Sequence, residues 1–392
     1  MRGTVAMGKI LPLALAPVLV LLLVAGAVEL VRGQSSAAGL SALPRTVADP
    51  PDNPSTPAKI ALGRLLFWDP ILSGNKDVAC GTCHHPRFGY AENLDISIGV
   101  NGIGLGAMRT FSAPNNIPFV KRNSQTILNT AFNGISPDGQ YRPSAAPMFW
   151  DLRAKGLEAQ ALEPIKTLEE MRGHAYPLEQ AVDAVVARIA AVPEYRVLFA
   201  RAFPGDRAVS AGNLAKALAS FQRSLVANNS PFDRYMRGDR SAMTSAQVRG
   251  MREFQNVGCV NCHSGPMFSD YRIHVLGIPD NRKLAESDTG VKGSYAFRTA
   301  SLRNLAYTAP YMHSGVFADL DDVLDFYDDG VRRPENRNVR RGQLDPLLRQ
   351  LDDVDDAEDD IIEFLSALND DSFDKTIPTR VPSGLSPGGR IP

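Results

Sequence analysis

Cysteine is scarce in this sequence, with four residues among 392. Two disulfides are the most it can form, so covalent cross-links do not build the fold. An excess charge of one sign is also missing. Lys and Arg total 42, Asp and Glu 43, for a formal net charge of −1. Composition therefore gives no case for nucleic acid as a partner. No stretch of useful length alternates apolar and polar residues in the manner of a half-buried strand. Gly102, Gly104 and Gly106 miss the spacing of a nucleotide-binding loop. The acidic run DDVDDAEDD at 352–360 lacks the glycine that an EF-hand needs at its turn. The first region reads as an ordinary long loop, the second as the solvated start of a helix. Apolar content of 44% and charged content of 22% are those of a globular protein, and the length suggests about two domains.

Long apolar runs are absent except for one, Ile10 to Val28, which contains no charge. Arg2 and Lys9 precede it, and the small, polar stretch RGQSSAAGLSAL follows. This is the layout of a secretory signal. The run is also long enough to span a bilayer as an uncleaved anchor, and both alternatives stay open. Either way residues 1–37 direct the body of the protein out of the cytoplasm.

All four cysteines lie in two copies of one pattern, CGTCH at Cys80–His84 and CVNCH at Cys259–His263. Two disulfides would not require a histidine after each second cysteine. A zinc site would use Cys and His, but each cluster offers only three ligands. C-x-x-C-H is the attachment pattern for c-type haem. The two thiols add to the haem vinyl groups, and the adjacent histidine reaches the iron. Cys80, Cys83, Cys259 and Cys262 are thus expected to hold two covalent haems, with His84 and His263 as proximal ligands.

The surroundings of both motifs read as helix. TPAKIALGRLLFWD (56–69) opens with a cap residue and a proline suited to a first helical turn. SAGNLAKALASFQRSLV (210–226) puts Leu214, Ala217, Leu218, Phe221 and Leu225 on one face. TSAQVRGMREFQNVG (244–258) opens with Thr244 and Gln247 at capping-box spacing and runs into Cys259. DDIIEFLSALND (359–370) repeats the apolar pattern. The expected fold is mainly α, with two cytochrome c-like haem domains packed together. They span 45–234 and 235–372, joined near 230–243 and followed by a tail, 373–392.

Several long stretches carry a more specific likeness. LGRLLFWDPILSGNKDVACGTCH, RNSQTILNTAFNG, FWDLRAKGLEAQALEPIKTLEEM, ALASFQRSLVANNSPFDRYMRGD and FRTASLRNLAYTAPYMHSG resemble, in the same order, segments of bacterial dihaem cytochrome c peroxidases and of the related MauG enzymes. The resemblance covers roughly residues 45 to 370. It implies that hydrogen peroxide reacts at the N-terminal haem and that the C-terminal haem stores and relays electrons. It places Trp150 between the haems, and Gln160, Pro164 and Glu170 around the peroxidatic one. A carboxyl group there can move the proton that peroxide cleavage requires, and the resemblance assigns that role to Glu170. From spacing alone Glu163 and Glu169, neighbours on the same expected helix, would serve equally. The resemblance also implies one Ca²⁺ at Asn123, Thr308 and Pro310, the last two through backbone carbonyls.

Two departures from the peroxidase pattern stand out. Many relatives follow S-I-G with a histidine that caps the peroxidatic iron, and here the residue is Val100. Valine cannot bind iron, and His85 is poorly placed for the other face. The peroxidatic haem is therefore expected to be open when both irons are ferric. At the electron-transfer haem, relatives with peroxidase activity supply a methionine where this chain has Tyr327, as MauG-like proteins do. An anionic phenolate stabilises ferric iron and lowers the potential. Met312 is the alternative ligand, and His313 is expected to organise the pocket. These features imply an exported, periplasmic dihaem oxidoreductase on the MauG side of the family. A redox protein or a protein substrate would exchange electrons with it, and a homodimer is one expectation for its assembly. The alternatives are a peroxide-detoxifying enzyme fed by a small cytochrome c or copper protein, and a dihaem electron carrier without peroxide chemistry.

Overall fold

In the computed structural model, residues 1–4, 39–205, 207–329 and 333–392 are described. The expected signal or anchor run lies outside them. Among the described residues no helix is long and apolar enough to cross a membrane. Residues 39–392 form one compact unit.

Eight helices of six residues or more occur among the described residues: α1 (Pro57–Trp68), α2 (Ala181–Ala191), α3 (Pro193–Ala202), α4 (Ala211–Ser224), α5 (Pro231–Met236), α6 (Ser245–Asn256), α7 (Leu320–Asp329) and α8 (Val354–Ser366). Among the described residues the strands form three antiparallel pairs of two residues each. These are β1 (Gly102–Ile103) with β2 (Thr110–Phe111), β3 (Pro147–Met148) with β4 (Ala154–Lys155), and β5 (Ile273–His274) with β6 (Phe297–Arg298).

The caps fall where the sequence puts them. The Thr56 hydroxyl accepts from Lys59 N at 3.2 Å and starts α1. Thr244 and Gln247 exchange both capping-box hydrogen bonds, at 3.0 and 3.1 Å, and start α6. The acidic run does open a helix, but α8 begins at Val354, five residues before the expected stretch. Leu214, Ala217, Leu218, Phe221 and Leu225 are all buried, as the periodicity requires.

In the first half α1 packs against α4. The helices approach so closely that a Cβ on Gly63 would lie 2.0 Å from the carbonyl oxygen of Ala217. In the second half α6 packs against α8. There a Cβ on Gly250 would lie 1.7 Å from the carbonyl oxygen of Asp360. Only glycine permits backbones to pass at these distances. An edge-on cluster of Phe232, Phe254, Phe268 and Phe364 fills the second core.

The region 230–243 is tied down. Asp233, on α5, is fully buried and forms two hydrogen bonds with the Arg303 guanidinium, at 2.9 and 3.0 Å. It also accepts from Leu43 N at 2.9 Å and Ser230 Oγ at 2.7 Å. The expected tail folds back over the first half. Phe373 and Val381 join its core. Gly388 N donates to Trp68 O at 2.7 Å, Arg390 N to Asp77 O at 3.0 Å, and Thr82 Oγ1 to Gly388 O at 2.8 Å.

Candidate active site

Cys80–Cys83 forms a single helical turn, and Cys259–Asn261 a shorter one. His84 Nδ1 lies 3.1 Å from the carbonyl oxygen of Tyr90, and His263 Nδ1 lies 3.0 Å from that of Phe268. Tyr90 and Phe268 both take the left-handed conformation, with φ of 58° and 51°. Each backbone bond engages Nδ1 and leaves Nε2 to bind a metal, the arrangement usual for ligating histidines. Burial pushes both imidazoles down in pKa, toward the neutral form that ligation needs. No disulfide joins any of the four cysteines. All six residues line one cavity of about 690 Å³. Paired thiols, an oriented imidazole and an apolar enclosure fit a covalently held haem at each motif.

Beside the first motif the cavity wall is polar. Gln160, Pro164 and Glu170 all line it. Gln222 Nε2 donates to Gln160 Oε1 at 3.1 Å, which leaves the Gln160 amide donors free. Glu170 sits on a wide helical turn, Leu168–Arg172. Solvent reaches 23% of its side chain. Burial pushes its carboxyl up to about 7; Arg153 opposes the shift, Glu169 and Glu163 add to it, and Arg122 opposes it. The three glutamates do not share one helix as expected. Glu163 belongs to a separate turn, Glu163–Lys166, and Thr167 is extended between the two (ψ 126°). The break separates Glu163, which pairs with Lys166, from Glu170.

Val100 is fully buried, and its N–H donates to Glu170 O at 3.1 Å. It therefore packs behind the glutamate turn as core. His85 packs edge-on against Trp68, with ring centroids 5.5 Å apart.

Between the motifs, Trp150 Nε1 donates to Asn123 O at 3.1 Å. His313 stacks on Phe297 at 3.6 Å and meets Trp150 edge-on at 6.3 Å. Burial holds His313 neutral, pushing it down to about 3. Asn123 Nδ2 faces three carbonyl oxygens, of Leu94, Asp95 and Pro310, at 3.0, 3.2 and 3.3 Å. Thr308 and Pro310 line the cavity nearby. Beside the second motif the cavity reaches Tyr327, on α7, and Met312. Burial pushes the Tyr327 hydroxyl up.

This constellation matches known proteins over most of the chain. The model of the di-haem cytochrome c peroxidase family matches residues 57–241. The methylamine utilization protein MauG of Methylorubrum extorquens is 34% identical over 342 residues, covering 86% of this chain and 85% of that protein. The chain belongs to the dihaem cytochrome c peroxidase family. Cytochrome c551 peroxidase of Pseudomonas aeruginosa is 33% identical over 293 residues, 72% of this chain and 75% of that one. Among solved structures, a MauG-like protein associated with microbial copper homeostasis superposes with a TM-score of 0.68 at 26% identity, over 86% of this chain and 99% of that one. The peroxidase is thus a mainly α oxidoreductase of a family that carries two c-type haems.

Other charged residues of this peroxidase lie at the site without having been singled out from sequence. Arg153 and Arg122 line the cavity, and Arg122 pairs with Asp151 at 2.7 Å and with Asp288 at 2.5 Å. Arg153 was legible only as part of the FWDLR stretch. Asp288 lies far along the chain, and nothing local marks it. His274 is held between Asp270 and Asp345, at 3.0 and 2.7 Å. Cys262, Asp270 and His274 come within 4.8 Å of one another. A haem thioether at Cys262 would take the third donor from that group.

Proposed function

We propose that the protein is an exported, periplasmic dihaem peroxidase of the MauG-like kind. It reduces hydrogen peroxide at the site around His84 and takes electrons from a redox protein or a protein substrate through the site around His263. One observation carries this reading: the two ends of the cavity differ. The first motif faces Glu170 and Gln160, while the second shares its end with Tyr327. The burial of Val100 in the core supports an iron at the first site with no protein cap from that segment.

Haem at the first motif would supply the iron that binds peroxide and accepts its oxidising equivalents. Cys80 and Cys83 would anchor it, and Nε2 of His84 would hold it from the proximal side. Glu170 moves a proton from one peroxide oxygen to the other, so that water can leave. A carboxyl near 7 suits both halves of that transfer at neutral pH. Gln160 orients peroxide through its free amide donors. Trp150, held by Asn123, is the stepping stone for electrons from the second site, where Cys259, Cys262, His263 and the Tyr327 oxygen would hold the other haem. Ca²⁺ would sit at Asn123 with the carbonyls of Thr308 and Pro310. Rotating the Asn123 amide by half a turn presents its oxygen to the cation.

The test is the optical and EPR spectrum of the purified diferric protein, before and after one equivalent of H₂O₂ and without reductant. The expected result is a high-spin haem that reacts at once. Silence until an electron is supplied would favour a reductively activated peroxidase. Two low-spin haems that refuse cyanide would favour an electron carrier. Repeating the spectra after chelation tests the Ca²⁺: unchanged communication between the haems would count against it.

A further inference from the structure

β3 and β4 form a short hairpin whose loop, residues 149–153, enters the cavity wall. Phe149 and Leu152 both take positive φ, 66° and 58°. Such conformations cost on the order of 1–3 kcal/mol each in non-glycine residues and persist where surrounding contacts impose them. Here they direct Phe149, Trp150, Asp151 and Arg153 to the cavity while Leu152 stays out of it. The Arg153 guanidinium lies 3.6 Å from the centre of the Phe149 ring. Its Nη1 donates to Asp151 Oδ1 at 2.9 Å. Its Nη2 lies 3.8 Å from Glu170 Oε1. The other oxygen of Asp151 pairs with Arg122, which is anchored on Asp288 by two hydrogen bonds, at 2.5 and 2.9 Å.

We infer that Arg153 is the positioning residue of the peroxide site: fixed by Phe149 and Asp151, its guanidinium stands 3.8 Å from the Glu170 carboxyl and favours ionisation of that group against the burial around it. The inference rests on Glu170 being the group that moves the proton. It also makes the hairpin a shared mount. The residue that passes electrons, Trp150, and the residue that governs the proton carrier stand three positions apart on one strained loop. Four charged groups bear on Glu170. Glu169 and Glu163 disfavour its ionisation, as does burial, while Arg153 and, more weakly, Arg122 favour it. Arg153 is the only one of the four with an ion-pair contact to it among the described residues. A partly exposed pair of this length adds little to stability. Its effect should therefore appear in catalysis rather than in folding.

The experiment compares R153A, R153K, E170Q and the double variant R153A/E170Q, reading kcat/KM for H₂O₂ from pH 5 to 9 together with the thermal midpoint. Without the guanidinium the Glu170 carboxyl ionises at higher pH, so the acidic limb of the R153A profile should move up by about one unit. Turnover then falls about tenfold at the acidic end and recovers in alkali, while the thermal midpoint stays put. R153K keeps the charge and should restore most of the limb. In the E170Q background, R153A should have no further effect. A loss equal at every pH, or one that multiplies with that of E170Q, would overturn the inference. If E170Q itself left the rate near that of the parent, the assignment of Glu170 would fall, whatever R153A did.

Discussion

In the first half, α1 crosses α4 where Gly63 meets the backbone of Ala217; in the second, α6 crosses α8 where Gly250 meets the backbone of Asp360. A C-x-x-C-H turn follows the first helix of each crossing, α1 and α6. Each motif histidine then leans on the carbonyl of an aromatic residue with positive φ, Tyr90 or Phe268. The frame is the same twice over. The groups added to it are not. Beside the first motif they come from irregular backbone, the strained hairpin loop and the wide turn that carries Glu170. Beside the second, Tyr327 comes from a regular helix. The attachment motifs thus belong to the repeated frame, and the groups proposed for peroxide chemistry to the loops beside the first motif.

The largest expected effect lies where the halves meet. Asp233→Asn leaves Arg303 buried without its counter-charge and should cost about 3–5 kcal/mol in denaturant unfolding. Burial alone would raise the Asp233 carboxyl, but Arg303 and its other hydrogen bonds hold it below the usual range. Its contribution is therefore complete above the ordinary carboxylate pKa of about 4 and is lost as pH falls through the lower folded value. The variant should lose that part of the acid sensitivity. An unchanged acid limb would mean that the pair makes no pH-dependent contribution to stability.

Next comes the chemistry confined to one half. Glu170→Gln should lower peroxide turnover by a factor on the order of 10² and remove a rise in rate centred near pH 7, where the carboxyl ionises. The optical bands of the second haem should stay as they are. If those bands change too, the two ends of the cavity are not independent.

The smallest effect probes the shared frame. Gly63→Ala and Gly250→Ala each force a Cβ into a backbone carbonyl and should cost about 1–3 kcal/mol as overpacking. Gly250→Ala should cost more, because its obstacle is nearer. Equal melting points for the two variants and the parent would show that the crossings can open freely.

The sequence made the frame legible and left much of the site hidden. Caps and apolar spacing marked α1, α4 and α6, because these signals act within one or two turns of chain. The motifs themselves are local for the same reason. The break at Thr167, which divides Glu163 from Glu170, was not visible, since a single extended residue leaves little trace in a helical pattern. The partners of Arg122 and Asp233 were also hidden. Asp288 is 166 residues from the first, and Arg303 is 70 from the second. The carbonyls that hold His84 and His263 have no side-chain signature at all. Two-residue strands such as β3 and β4 are too short to show an alternation.

The bond from Thr82 to Gly388 joins residues 306 positions apart, inside the first haem motif. The first motif takes one of its walls from this distant segment, while the second motif, flanked by α6 and α8, has its nearest partners within about a hundred residues. Contacts of such long range also slow the last step of folding. The first motif thus depends on a strap that closes across more than three hundred positions of chain, and the second does not.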